Sequence, residues 1–79
     1  MEKNEAVARL QRKRISLERQ AMELMSTITH LTYEINQHPG LPQPVGRDQH
    51  VRMLQNRESE LASVKRMIEE TITQLNALN

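Results

Sequence analysis

The sequence predicts an all-α protein, an antiparallel two-helix hairpin of the coiled-coil type that dimerises into a four-helix bundle. Three observations favour this fold class. Apolar residues recur at alternating steps of three and four along both halves of the chain. All three prolines and both glycines fall within one central stretch, NQHPGLPQPVGRD. The composition, 27% charged and 37% hydrophobic, is typical of long amphipathic helices.

The first half of the chain carries a stripe of positions whose 3-4 spacing continues over four heptads. This spacing places them on one side of an α-helix, the side that packs in coiled coils. The sequence therefore predicts a first helix over about residues 3–37. Arg14 is the polar member, and it either sets the packing register or extends its charged end to solvent. The stripe consists of Val7, Leu10, Arg14, Leu17, Ala21, Leu24, Ile28, Leu31 and Ile35.

The central stretch predicts a break between two helices, a loop over about residues 38–47. Pro39 disfavours helical geometry at the residue before it, and Gly40 can adopt the left-handed conformation that closes a helix. Pro42 and Pro44 stiffen the connection. Asp48 is the predicted N-cap of the second helix, because its carboxylate can accept hydrogen bonds from the first-turn N–H groups.

The second half of the chain repeats the helical spacing and predicts a second helix over about residues 48–78, within one domain of residues 1–79. A reversal at about residue 43 sets Leu17 opposite Ile68 and brings Arg52 near Glu34. A domain-swapped pairing between two chains stays open as an alternative. The second stripe consists of Val51, Leu54, Leu61, Val64, Ile68, Ile72, Leu75 and Leu78.

A further set of large side chains lies beside the two stripes and is the predicted protein-binding or dimer face. It either widens the core of a four-helix bundle or forms a methionine-rich groove for a different protein, since thioethers adapt to irregular surfaces. Both interpretations predict association, because a lone hairpin covers only one side of each helix. The set consists of Ile15, Met22, Met25, Tyr33, Met53 and Met67.

The sequence offers little catalytic or metal-binding chemistry. His30 and Glu34 have the i, i+4 spacing that places two ligands on one helix face, but no third ligand clusters with them in the sequence. No phosphate-binding loop and no nucleophile beside a base occurs. We therefore expect no enzymatic activity, no small-molecule substrate, no cofactor and no metal.

A basic cluster near the start of the first helix predicts an alternative function, a small dimeric nucleic-acid-binding regulator. The cluster RLQRKR supplies Arg9, Arg12, Lys13 and Arg14, a layout like a short basic region before a zipper. Eleven basic against ten acidic residues give a net charge of only +1. The reversal also predicts that Glu69 and Glu70 lie near these cations. A solvated, paired charge face is therefore the preferred interpretation.

The predicted setting is the cytoplasm. The chain has no cysteine, and no apolar run approaches the roughly 20 residues that a membrane span requires. We expect a non-enzymatic interaction module, a self-associating hairpin that acts as adaptor, inhibitor or assembly factor on another protein. Its expected partners are a second copy and a different protein, with nucleic acid less favoured and no membrane. A third hypothesis is a structural piece of a larger complex.

Overall fold

Two long helices make up the part of the chain that the computed structural model describes, residues 2–37 and 44–78. The first helix, α1, spans Glu2–Gln37, and the second, α2, spans Pro44–Leu78. The principal dimensions are 62 × 14 × 14 Å. They fit two helices lying side by side, since about 35 residues of α-helix extend about 53 Å. The predicted all-α class and the packing of two helices against each other are confirmed.

The beginning of α2 differs from the expectation. The helix begins at Pro44, so the predicted N-cap Asp48 is an exposed residue within the first turns. Proline is favoured at the first helical position because its φ is fixed near the helical value and its missing N–H would have no partner there. The rest of the predicted loop, residues 38–43, lies outside the described residues.

The core lies midway along the hairpin and is built from six apolar side chains, three from each helix. They are Leu17, Ala21, Leu24, Leu61, Val64 and Ile68. Antiparallel helices bring these residues together in layers, with Leu17 level with Ile68, Ala21 with Val64, and Leu24 with Leu61. The predicted match of Leu17 to Ile68 agrees with this cluster. A residue further along α1 is therefore level with a residue that lies correspondingly nearer the beginning of α2.

All nine predicted stripe positions of α1 are buried or half-buried, as expected. On α2 one member of the predicted stripe, Ile72, is exposed, and another, Val51, is half-buried but lies beside the line of inward positions. Thr71 is 1% exposed, whereas Ile72 is 39% exposed. A step of three from Ile68 leads to Thr71 and a step of four leads to Ile72. Because Ile72 is the more apolar residue, the sequence predicts it as the buried position. Thr71 tolerates burial because its hydroxyl donates a hydrogen bond to the Met67 carbonyl at 2.7 Å.

We call the inward positions of both helices the seam. On α1 the seam is the predicted stripe. On α2 it consists of positions that are buried or half-buried at the same 3-4 spacing, namely His50, Leu54, Arg57, Leu61, Val64, Ile68, Thr71, Leu75 and Leu78. The seam of each helix therefore contains one arginine.

The two seam arginines extend outward from the helix contact. The Arg14 and Arg57 side chains are 40% and 39% exposed, yet both Nε atoms are buried and have no hydrogen-bond partner among the described residues. Their charged ends reach carboxylates on their own helices: Arg14 Nε lies 3.9 Å from Glu18, and an Arg57 terminal nitrogen lies 3.1 Å from Glu60. The outward path proposed for Arg14 is thus observed, and Arg57 repeats it.

The predicted charge pairs between the helices are partly wrong. His50, rather than Arg52, contacts Glu34, because His50 occupies the seam and Arg52 points outward. Within residues 2–37 and 44–78, neither Glu69 nor Glu70 forms an ion pair with the basic cluster. The exposed ends of these side chains gain too little from pairing to be held in one geometry.

Candidate interaction faces

The six side chains predicted as a protein-binding or dimer face are all exposed. Met22 and Tyr33 are the most exposed, at 69% and 60%, and the others range from 38% to 52%. Burying such large apolar side chains is favourable, so their exposure marks surfaces that a partner can cover. Their role in binding stays a prediction. The six are Ile15, Met22, Met25, Tyr33, Met53 and Met67.

Helix geometry separates these residues into groups. Successive residues turn by about 100°, so a residue that follows a seam position lies on one side of the hairpin and one that precedes it lies on the other. In an antiparallel pair this rule gives the same side for both helices. Met22 follows Ala21 of the seam, whereas Met67 precedes Ile68. The antiparallel arrangement therefore places these two methionines on opposite sides.

We call the side of Met22 the first face. Every apolar residue on it comes directly after a seam position. Two of its members, Val51 and Ile72, belong to the stripe that the sequence predicts to be buried. In the structure Val51 is half-buried, whereas Ile72 is exposed. Both residues are assigned to the first face because each directly follows a seam residue. The apolar members of the first face are Ala8, Ile15, Met22, Met25, Val51, Ala62 and Ile72.

The opposite side, which we call the second face, is more polar. Its large apolar residues are Met53 and Met67, which directly precede Leu54 and Ile68 of the seam. The residues of α1 that flank the seam on this side include Lys13, Gln20 and Glu34. Tyr33 belongs to neither face, because it follows Leu31 by two positions and lies on the outer side of α1. The six predicted residues thus do not form one continuous surface.

A polar cluster joins the two helices at their loop ends. The Nε2 atom of His30 lies 3.0 Å from one carboxylate oxygen of Glu34, and the Nε2 atom of His50 lies 3.3 Å from the other. The three side chains are 41% to 70% exposed. Within the described ranges, no group of three potential ligands is arranged to hold a metal ion. This cluster can bridge the helices by hydrogen bonds to a shared carboxylate.

The basic cluster is exposed near the beginning of α1, at the end of the hairpin opposite the polar cluster. Arg9, Arg12 and Lys13 are exposed, whereas Arg14 is half-buried within the seam. In the part of the chain that the structure describes, the first three form no ion pair. They can therefore offer three cations to an anionic ligand, while Arg14 already lies near Glu18.

Comparison with known protein families, with curated proteins and with solved structures gives no match. Neither described helix contains a segment that is long and apolar enough to cross a membrane.

Proposed function

We propose that the chain is a non-enzymatic interaction module, a hairpin that self-associates and docks on another protein as adaptor, inhibitor or assembly factor. The observation that carries this proposal is the imbalance between buried and exposed apolar side chains. Among the residues whose burial the structure describes, five hydrophobic residues are buried, whereas seven large hydrophobic side chains are exposed. The seven are Ile15, Met22, Met25, Tyr33, Met53, Met67 and Ile72.

The accessible area supports the same proposal. The chain exposes 6352 Å². Folded monomers of 9.2 kDa expose about 4,900 Å², so the hairpin exposes about 1,400 Å² more than a compact chain of its mass. A standard protein interface buries about 800 Å² on each partner. One interface of ordinary size therefore fits within this excess.

Capture experiments with surface variants test the docking part of the proposal. Met22→Asp and Tyr33→Ala alter two exposed apolar positions that do not contribute to the seam, so helicity by circular dichroism should be unchanged. We expect the immobilised wild-type chain to capture a defined protein, identified by mass spectrometry, and Tyr33→Ala to lose it. Loss of capture by Met22→Asp counts as loss of docking only where sedimentation shows that this variant still self-associates; where it dissociates, Met22 belongs to the self-association face. Ser16→Asp is the matched control, because it adds the same charge at an exposed position away from the first face. Equal capture by all four chains would contradict the proposal.

A second candidate is the dimeric nucleic-acid-binding regulator. It is supported by the exposed cations Arg9, Arg12 and Lys13, which form no ion pair with the other residues that the structure describes. Binding through phosphates should weaken steeply as salt rises, because each contact releases counterions. Arg12→Ala combined with Lys13→Ala should weaken binding to duplex DNA and lower the salt dependence. Affinity that ignores both salt and these substitutions would remove this candidate.

A further inference from the structure

The first face has a self-complementary order of residues along α2. Four residues follow seam positions at steps of seven, and they read apolar, acidic, basic, apolar: Val51, Glu58, Lys65 and Ile72. Seven residues are two helical turns, so the four lie in one row that extends about 32 Å along the helix. Turning this row end for end places Val51 opposite Ile72 and Glu58 opposite Lys65. The row therefore complements an antiparallel copy of itself.

The charged members of this row are free to pair outside the chain. Glu58 and Lys65 are exposed, and neither forms an ion pair with another of the described residues. Within one chain they lie two turns apart, which is too far for a direct contact. An antiparallel copy would supply the opposite charge to each, and the two-fold symmetry would form the pair twice.

The methionines of α1 have the same centre of symmetry. The midpoint of the α2 row lies next to Leu61, which is level with Leu24 in the core. Met22 and Met25 lie on either side of Leu24. An axis through the Leu24 and Leu61 layer would therefore place Met22 beside the partner's Met25 while it places Glu58 beside the partner's Lys65. The methionine pair of α1 and the row of α2 therefore share one axis.

The alternative alignment, with the two loops at the same end, matches less well. In that alignment α1 packs against the partner's α2, and every residue keeps its level along the hairpin. Ile15 then meets the partner's Ile72, but Met25 lies beside the partner's Glu58, which desolvates a carboxylate against an apolar side chain. The antiparallel alignment avoids this contact and pairs the charges instead.

We infer that the occupant of the first face is a second copy of this chain, packed antiparallel with its loop at the opposite end and with α2 against α2. The two-fold axis passes through the layer of Leu24 and Leu61. The excess accessible area described above is sufficient for such an interface. This inference rests on the proposed self-association and specifies its geometry. Opposite charges across an interface fix register and suppress wrong partners, which is the role of Glu58 and Lys65 here.

A charge-reversal experiment tests the geometry. Glu58→Lys gives a face with two cations, and Lys65→Glu gives a face with two carboxylates. Each variant alone should dissociate at least about tenfold more readily than the wild type, because like charges meet across the axis. An equimolar mixture of the two variants should form heterodimers, and the double variant should recover wild-type association. Glu70→Lys and Arg66→Glu, outside the first face, are the controls and should associate as the wild type does.

Cysteine cross-linking provides a second measurement that does not depend on charge. The natural chain has no cysteine, so a single substitution is a unique probe. Ala62→Cys lies on the first face next to the axis and should form a covalent dimer under mild oxidation, whereas Ser63→Cys, which points away, should not. If the wild type is dimeric but the mixture of charge-reversal variants stays dissociated, this geometry is overturned and self-association stands. The same holds if the wild type is dimeric but Ala62→Cys does not cross-link. A monomeric wild type would overturn both.

Discussion

The Nε2 atom of His50 lies 3.3 Å from a carboxylate oxygen of Glu34, and this contact joins α2 to α1 at the loop end of the hairpin. The other oxygen of the same carboxylate lies 3.0 Å from the Nε2 atom of His30, one turn earlier on α1. Glu34 therefore connects a neighbour on its own helix to a neighbour on the other. The contact is consistent with the register of the core, since Glu34 and His50 lie at nearly the same level.

A double-mutant cycle measures this contact. We expect Glu34→Ala and His50→Ala to show a coupling free energy of about 0.2 to 1 kcal/mol, the usual range for an exposed pair. The measurement is urea unfolding at one fixed protein concentration, because association changes apparent stability. Arg52→Ala is the control partner and should show no coupling to Glu34→Ala. Coupling to Arg52 instead of His50 would show that the register is wrong.

The seam arginine of α2 predicts a stabilising substitution. Arg57→Leu removes a buried Nε atom that has no hydrogen-bond partner within residues 2–37 and 44–78, and it extends the apolar seam beside Ile28. We expect the free energy of unfolding to rise by about 1 to 2 kcal/mol, since an unsatisfied buried donor costs about that much. The exposed Arg52→Leu should change it by less than about 0.5 kcal/mol. If Arg57→Leu lowers the free energy of unfolding, the arginine contributes more through Glu60 than its burial costs.

Substitutions at two adjacent positions of α2 separate the seam from the first face. Thr71→Asp places an unpaired charge at a position that is 1% exposed and should lower the free energy of unfolding by about 3 kcal/mol or more. Ile72→Asp should leave the hairpin folded and weaken self-association, because Ile72 lies on the first face. Circular dichroism and sedimentation report the two effects separately. If the single substitution Ile72→Asp causes loss of helicity, Ile72 belongs to the seam.

The two faces predict different results for two methionines. Met22→Asp introduces a charge near the proposed axis on the first face and should abolish the dimer at micromolar concentration. Met67→Asp introduces the same charge on the second face and should leave the dimer intact. Sedimentation velocity of both variants at equal concentration is the measurement. The reverse result would assign the dimer contact to the second face.

The hairpin could be predicted from the sequence because its main determinants are local. A 3-4 repeat of apolar residues specifies a helix with one packing side, and a stretch that gathers every proline and glycine specifies the break. The match of Leu17 to Ile68 followed from placing the reversal in that stretch. These features depend on spacing alone, which the sequence displays directly.

The register of α2 was harder to predict, because polarity is an unreliable guide to burial within a helix. Thr71 is buried since its hydroxyl bonds to the Met67 carbonyl, and Arg57 occupies the seam since its long stem lets the charge reach solvent. Moving the seam from Ile72 to Thr71 changes which residues flank it. The division into two faces, and the row from Val51 to Ile72, emerge only once the seam is known.

Sedimentation equilibrium of the wild-type chain at micromolar concentration shows whether a second copy covers the exposed apolar surface of the hairpin. We expect a helical species with twice the mass of the 9.2 kDa chain, which dissociates on dilution. A stable helical species of 9.2 kDa throughout the concentration range would contradict this expectation.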